Sequence, residues 1–252
     1  GLLDTIMYTY PSTFEHFIAI HGIDVLVERL VADMPAPEES EPFMYSRSHL
    51  IRQILRTIHH LMTTPGTADG LRTLIDTPML GVLRTSIERK NIFGPHVLTL
   101  AISIMSTFVH NEPTQLSPIQ ESKLPEAFLQ ALSEGFQPNM ELLMSLSTAI
   151  GALCLNEAGL RLLTESGIVA RILHILNDTR FHGILLDHDC ANAFGGSIEE
   201  LVRHHPSLKE GVLTEVLRVV ERIVTEARTF TPPSDATERE LYVVDTPVHR
   251  EA

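Results

Sequence analysis

The chain has only two cysteines, Cys154 and Cys190, 36 positions apart. That scarcity excludes a disulfide framework and suits a reducing compartment. No apolar run approaches the roughly 18 or more residues that span a bilayer. Nor does a basic start lead into an apolar stretch and a small-residue cleavage site. The expected location is therefore the cytoplasm, the nucleus or both, with no membrane partner. Basic residues are also few: 19 against 32 acidic ones leave a formal charge of −13. Such a chain repels phosphate backbones, and its densest basic spots, Arg89–Lys90 and Arg52 with Arg56, are small. Direct nucleic-acid binding is not expected. No alternating strand pattern bounded by hairpin turns is present either, which removes the β classes.

What the sequence does contain is helical periodicity. In "HLIRQILRTIHHLM" the residues Leu50, Ile51, Ile54, Leu55, Ile58, Leu61 and Met62 form one apolar stripe, with Arg52, Arg56, His59 and His60 opposite. "HVLTLAISIMSTFVH" and "MELLMSLSTAIGALCL" are apolar nearly all round, so they must be buried between neighbours. Ser12–Glu15, Ser117–Gln120, Ser197–Glu200 and Ser207–Glu210 have capping-box spacing, and Pro78, Pro95 and Pro118 stand at helix entries. The chain begins on Gly1 with residues that already read as helix, so a fragment of a longer protein is expected.

A longer recurrence follows. "HGIDVLVERLV", "DTPMLGVLRTSI", "SKLPEAFLQAL", "ESGIVARILHIL" and "PSLKEGVLTEVL" each read as a turn followed by an amphipathic helix. Their first apolar residues are Ile23, Met79, Leu124, Ile168 and Leu208, at intervals of 56, 45, 44 and 40. The long first interval contains Asp33–Phe43, 11 residues with three prolines and, counting Asp33, four acids. Without it the interval is 45. That composition reads as a solvated, removable loop. A period of about 40–47 residues built of helices is that of armadillo and HEAT arrays. The expectation is an all-α, armadillo/HEAT-like helical solenoid over 1–228, then a linker or disordered tail over 229–252 in which "LYVV" docks locally at most.

The stretch "FHGILLDHDCANAFGGSIEELVRHHP" gathers reactive residue types, but their spacing is wrong for chemistry. His188, Asp189 and Cys190 are consecutive, so in a helix they splay apart by about 100° each, and His182 to His188 fits no common zinc pair. Gly195–Gly196 lacks a phosphate-loop context. Cys190 precedes the small-apolar run "ANAF", and Cys154 lies inside "GALCL", where a buried hydrophobe is expected. No catalytic, cofactor or metal site is therefore assigned. "FHGILLDHD" is expected to connect helices, "GGSIEE" to start one and "RHHP" to end it. Met140 and Met144 are expected in the core. The best surface candidate is Arg52, Arg56 and His59, which share one helix face at i, i+4 and i+7 and could receive an acidic peptide. An ordinary solvated face is the plainer reading of the same residues.

"TAIGALCLNEAGLRLL", "SIEELVRHHPSL" and, more loosely, "FIAIHGIDVLVERL" resemble the N-terminal armadillo-like region of the HUWE-type HECT E3 ubiquitin ligases, a family that includes the yeast Tom ligase. The resemblance implies a scaffold that helps recruit protein substrates and contacts other regions of a parent ligase, whose catalytic HECT domain lies elsewhere. Neither Cys154 nor Cys190 stands in that domain's motif. The segments 33–43 and 180–192 follow no pattern of the family. A solenoid adaptor unrelated to ubiquitin, such as a transport or assembly factor, is the other reading of the same repeats, and an independent enzyme is the least supported.

Overall fold

The computed structural model describes residues 2–10, 12–36, 45–64, 74, 77–111, 116–155 and 157–231. Among them every regular element is helical. In chain order these are α1 (Leu2–Thr9), α2 (Ser12–Ala19), α3 (Gly22–Asp33), α4 (Tyr45–Thr63), α5 (Met79–Glu88), α6 (Lys90–Phe93), α7 (Pro95–Asn111) and α8 (Leu116–Glu121). There follow α9 (Leu124–Ser133), α10 (Met140–Leu153), α11 (Glu157–Ser166), α12 (Ile168–His174), α13 (Thr179–Leu185), α14 (His188–His204) and α15 (Lys209–Thr229). The 3-10 turns Ile175–Asn177 and Pro206–Leu208 join the last of them.

Like helices stack on like. The long helices α4, α7, α10 and α14 pack in that order, and a second row runs through the medium helices α3, α5, α9 and α12 to the 21-residue α15. The array is an all-α helical solenoid, and one continuous core runs through it from Met7 to Val212. The five register residues Ile23, Met79, Leu124, Ile168 and Leu208 are all buried, each at or next to the start of a medium helix. The two all-apolar segments are α7 and α10, each clasped on both sides by long neighbours. α15 buries Val212 and Val219 but leaves Leu213, Leu217, Val220 and Val224 exposed, because it has a medium-helix neighbour on one side only among the described residues.

The turn into the medium helix is itself repeated. The residues before α3, α9 and α12 are His21, Lys123 and Gly167, with φ of 58°, 57° and 62°. All three lie in the left-handed region, which glycine enters freely and other residues at a cost of about 1–2 kcal/mol. Beside His21, the ring of Phe17 fills the place a side chain on Gly22 would take, its nearest atom 2.2 Å from that position.

Several expectations change. Asp33 closes α3, 7% exposed, and takes Arg29 through bonds of 2.5 and 3.1 Å. The Arg47 guanidinium donates to the carbonyls of Asp33 and Met34, both at 3.2 Å, and Arg89 to that of Ala36 at 2.8 Å. The solvated loop therefore does not begin at Asp33; residues 33–36 are fastened to α4 and to the junction of α5 and α6, and 37–43 lie outside the described residues. The expected starts at Ser197 and Ser207 are not made. Asp187 caps α14, accepting from the amides of Asp189 and Cys190, so Gly195–Gly196 and Ser197 sit mid-helix, where Ser197 Oγ donates to the Phe194 carbonyl at 2.7 Å. Phe194 and Leu201, both buried, carry the apolar stripe across the glycines. Ser207 lies in a 3-10 turn, and α15 starts without a side-chain cap. "FHGILLDHD" is correspondingly not a connection but α13 and the start of α14. Met140 and Met144 are half-buried rather than core. Of the tail, α15 takes in Thr229, and 232–252, with "LYVV", lie outside the described residues.

Two stability outcomes follow from these contacts. Excising Asp33–Phe43 removes a buried carboxylate and three carbonyl acceptors, so the thermal midpoint should fall by at least ~2–4 °C, about 1 kcal/mol for a chain of this size. An unchanged melt in circular dichroism contradicts the anchoring. Lys123→Gly relieves a left-handed residue and should raise stability by about 0.5–1 kcal/mol in urea titration.

Candidate protein-binding surface

The sequence-chosen stripe lies on the outer side of α4: Arg56 is exposed, and Arg52 and His59 are half-buried. Burial, and then the neighbouring His60, push the His59 imidazole below its usual value. The three share one helix face, as their spacing requires.

A groove the sequence did not disclose lies further along the same layer. His96, at the start of α7, reaches Glu141 at the start of α10 across 3.7 Å. At the other end, His110 of α7 shares a groove of about 460 Å³ with Ser147, Thr148, Gly151 and Leu155 of the α10 end and with Ser197, Glu200, Leu201, His204 and His205 around the α14 end. The three long helices thus run the same way, and their C-terminal ends converge. Each such end leaves carbonyls without an intrahelical donor and carries about half a negative charge. Imidazoles placed there meet a favourable field, which accounts for histidine in the last turns of α7 and α14.

Small residues build the floor. A side-chain carbon on Gly151 would stand 3.7 Å from Leu201 Cδ1 and 3.9 Å from His205 Nε2, so α14 comes close to α10 there. His205 donates a ring N–H to the Gly151 carbonyl, yet its pKa is lowered, first by burial and then by His204, with that bond opposing. Its backbone has left the helical region, at φ −125° and ψ 76°, as the proline that follows requires. Glu200 is 3.7 Å from His204 and 3.8 Å from Arg203, all on the exposed rim. Through its carbonyls, hydroxyls and the Glu200 carboxylate, the groove can accept hydrogen bonds from a bound partner.

The two thiols are not activated. Burial pushes Cys154 up to about 11. Cys190 stands partly buried in the first turn of α14, a position that ordinarily lowers a thiol. Loss of solvent, with the carboxylates of Asp187 and Asp189, raises it instead. Among the described residues no three of His, Cys, Asp and Glu are placed to hold a metal ion, and no helix is long and apolar enough to cross a membrane.

The histidines predict a pH dependence. Folded His59 and His205 hold a proton less tightly than unfolded ones. The stability of their neutral forms is complete above the ordinary histidine value near 6.5 and is lost as pH falls through that value towards the folded one. Urea midpoints at pH 7.5 and 5.5 should therefore differ, and the double variant His59→Gln/His205→Gln should narrow the gap. An equal gap in the variant contradicts the assignment.

Relatives define the chain's place. It is 29% identical over 246 residues to the E3 ubiquitin-protein ligase ptr1 of Schizosaccharomyces pombe, covering 92% of this chain and 8% of that protein. The E3 ubiquitin-protein ligase TOM1 of Saccharomyces cerevisiae is 28% identical over 252 residues, 93% of this chain and 8% of its own length. For the E3 ubiquitin-protein ligase HUWE1 of Mus musculus the figures are 28% over 190 residues, 72% and 4%. The chain thus spans under a tenth of the length of these relatives, which are the ligases its helices resemble. The family described as Domain of Unknown Function (DUF913) matches residues 1–248. With all but its last four residues inside that match, the chain belongs to the DUF913 family.

Proposed function

We propose that this chain is a non-catalytic, protein-docking segment of a large HECT-type E3 ubiquitin ligase, a scaffold on which protein substrates and other regions of the ligase assemble in the cytoplasm or nucleus. The alignment carries the reading: more than nine-tenths of the chain matches ubiquitin ligases of which it is 8%. The chemistry supports it. A ubiquitin transferase of this kind needs an activated thiolate, and the thiols of Cys154 and Cys190 are both raised. Long helices stacked side by side instead offer an extended face, to which Arg52, Arg56 and His59 contribute at α4 and the three-helix groove at α7, α10 and α14.

The test uses the parent ligase with residues 1–231 removed, beside a full-length Cys154→Ser/Cys190→Ser variant. The deletion should leave ubiquitin loading and self-ubiquitination within about twofold while slowing ubiquitination of a captured substrate about tenfold or more. The double serine variant should match wild type in both. Loss of ubiquitin loading in either protein refutes a non-catalytic role, and undiminished substrate ubiquitination in the deletion refutes recruitment.

A further inference from the structure

A second groove lies where the end of α9 and the loop after it face the corner between α12 and α13, with Arg222 of α15 closing the third side. It encloses about 660 Å³, within the usual range for a binding cleft. Its floor is apolar: Leu132, Ile175 and Phe181 are buried, and Phe136 meets Phe181 edge to face with 5.6 Å between ring centroids. Its rim carries Arg171, Arg180, Arg222 and His174 against Glu134 and Asp178.

Both carboxylates are engaged by donors of the protein. Glu134 accepts from Lys90 Nζ at 2.5 Å and Gln130 Nε2 at 3.0 Å, and the lysine bond first among these holds its carboxyl below the usual range. Asp178 caps α13 and takes Arg180 on both oxygens, with the same effect. Arg222 donates to Glu226 at 3.0 Å. Arg171, exposed, donates to the neutral Ser133 carbonyl at 2.6 Å and so keeps a whole positive charge at the mouth. In a chain of formal charge −13 an acidic partner is repelled overall, and a cluster of guanidiniums gives it a local place of attraction.

We propose that this groove docks an acidic peptide of a partner protein. A bulky apolar side chain rests on the Phe136–Phe181 floor, and flanking Asp or Glu carboxylates meet the Arg171 and Arg222 guanidiniums. A planar guanidinium takes a carboxylate through two parallel bonds, so the site selects carboxylates over neutral acceptors. The assignment rests on local charge and shape and does not need the chain to come from a ligase.

Fluorescence anisotropy tests it on the whole chain, with a labelled peptide of about ten residues in which Asp and Glu flank a Phe-Leu pair, and a control with Lys at the acidic positions. The acidic peptide should bind at least tenfold tighter than the control. Its affinity should fall several-fold between low and about 0.3 M salt, and about tenfold in Arg171→Glu/Arg222→Glu. Because reversal could disturb the fold, Arg171→Gln is run beside it with circular dichroism and should lose about threefold. Equal binding of the two peptides, or a double variant that folds and binds as wild type does, overturns the proposal. Tighter binding after removal of residues 232–252 assigns the groove to the chain's own acidic end and overturns the partner.

Discussion

No described helix of this molecule can bury its apolar surface by itself, and everything else follows from that. α10 is apolar nearly all round, so it is stable only with α7 on one side and α14 on the other. The same holds for α9 between α5 and α12. Stability is therefore a property of nearest-neighbour interfaces, added along one direction. A fault in α10 exposes surface on α7, α11 and α14, whereas a fault in α15 exposes surface on α12 and α14. The exposed row of Leu213, Leu217, Val220 and Val224 is what that constraint leaves on a helix that, among the described residues, has one medium-helix neighbour.

Because neighbours repeat, the sequence repeats, and that part of the fold was legible. Ile23, Met79, Leu124, Ile168 and Leu208 announce themselves because each combines a turn with the first buried position of an amphipathic helix. Boundaries were less legible, for a physical reason. Ser followed three residues later by Glu satisfies backbone donors only where a helix has free amides, and the pattern also arises inside a helix by chance. At α14, Asp187 takes the role ten residues before Ser197, and Phe194 with Leu201 holds the helix through two glycines costing about 1 kcal/mol each against alanine. Asp33 had one local sign, Arg29 a helical turn before it. The contacts from Arg47 and Arg89 are tertiary and left none.

The surfaces divide in the same way. Arg52, Arg56 and His59 could be read together because four- and seven-residue spacing on a single helix puts them on one face. The groove around Gly151 could not, since His110, Gly151 and His205 come from three helices brought together only by stacking. Its faint sequence sign is histidine at equivalent places, the last turns of α4, α7 and α14, near His60, His110 and His204. The Arg171, Arg180 and Arg222 groove had no such sign: an arginine is ordinary on any helix surface, and only the corner after α12 gives these three a common mouth.

Both grooves lie at helix ends, and the solenoid itself explains why. Helix flanks are consumed by stacking, so side chains there are chosen for volume, and polar ones such as Ser86 and Thr99 turn back to their own helix carbonyls at 2.8 Å. Ends are different. Their carbonyls and amides remain unsatisfied, their loops need no fixed packing, and charge placed there meets the helix dipole. A polar or charged substitution at an end can therefore alter what the surface attracts while the core interfaces stay whole. The Lys90–Glu134 pair shows the boundary between the two regimes. Lys90 is 6% exposed and ties α6 to the end of α9, while Glu134 is half exposed at the rim of the arginine groove. That one contact fastens the array on one side and holds a rim carboxylate of the groove in an ion pair on the other.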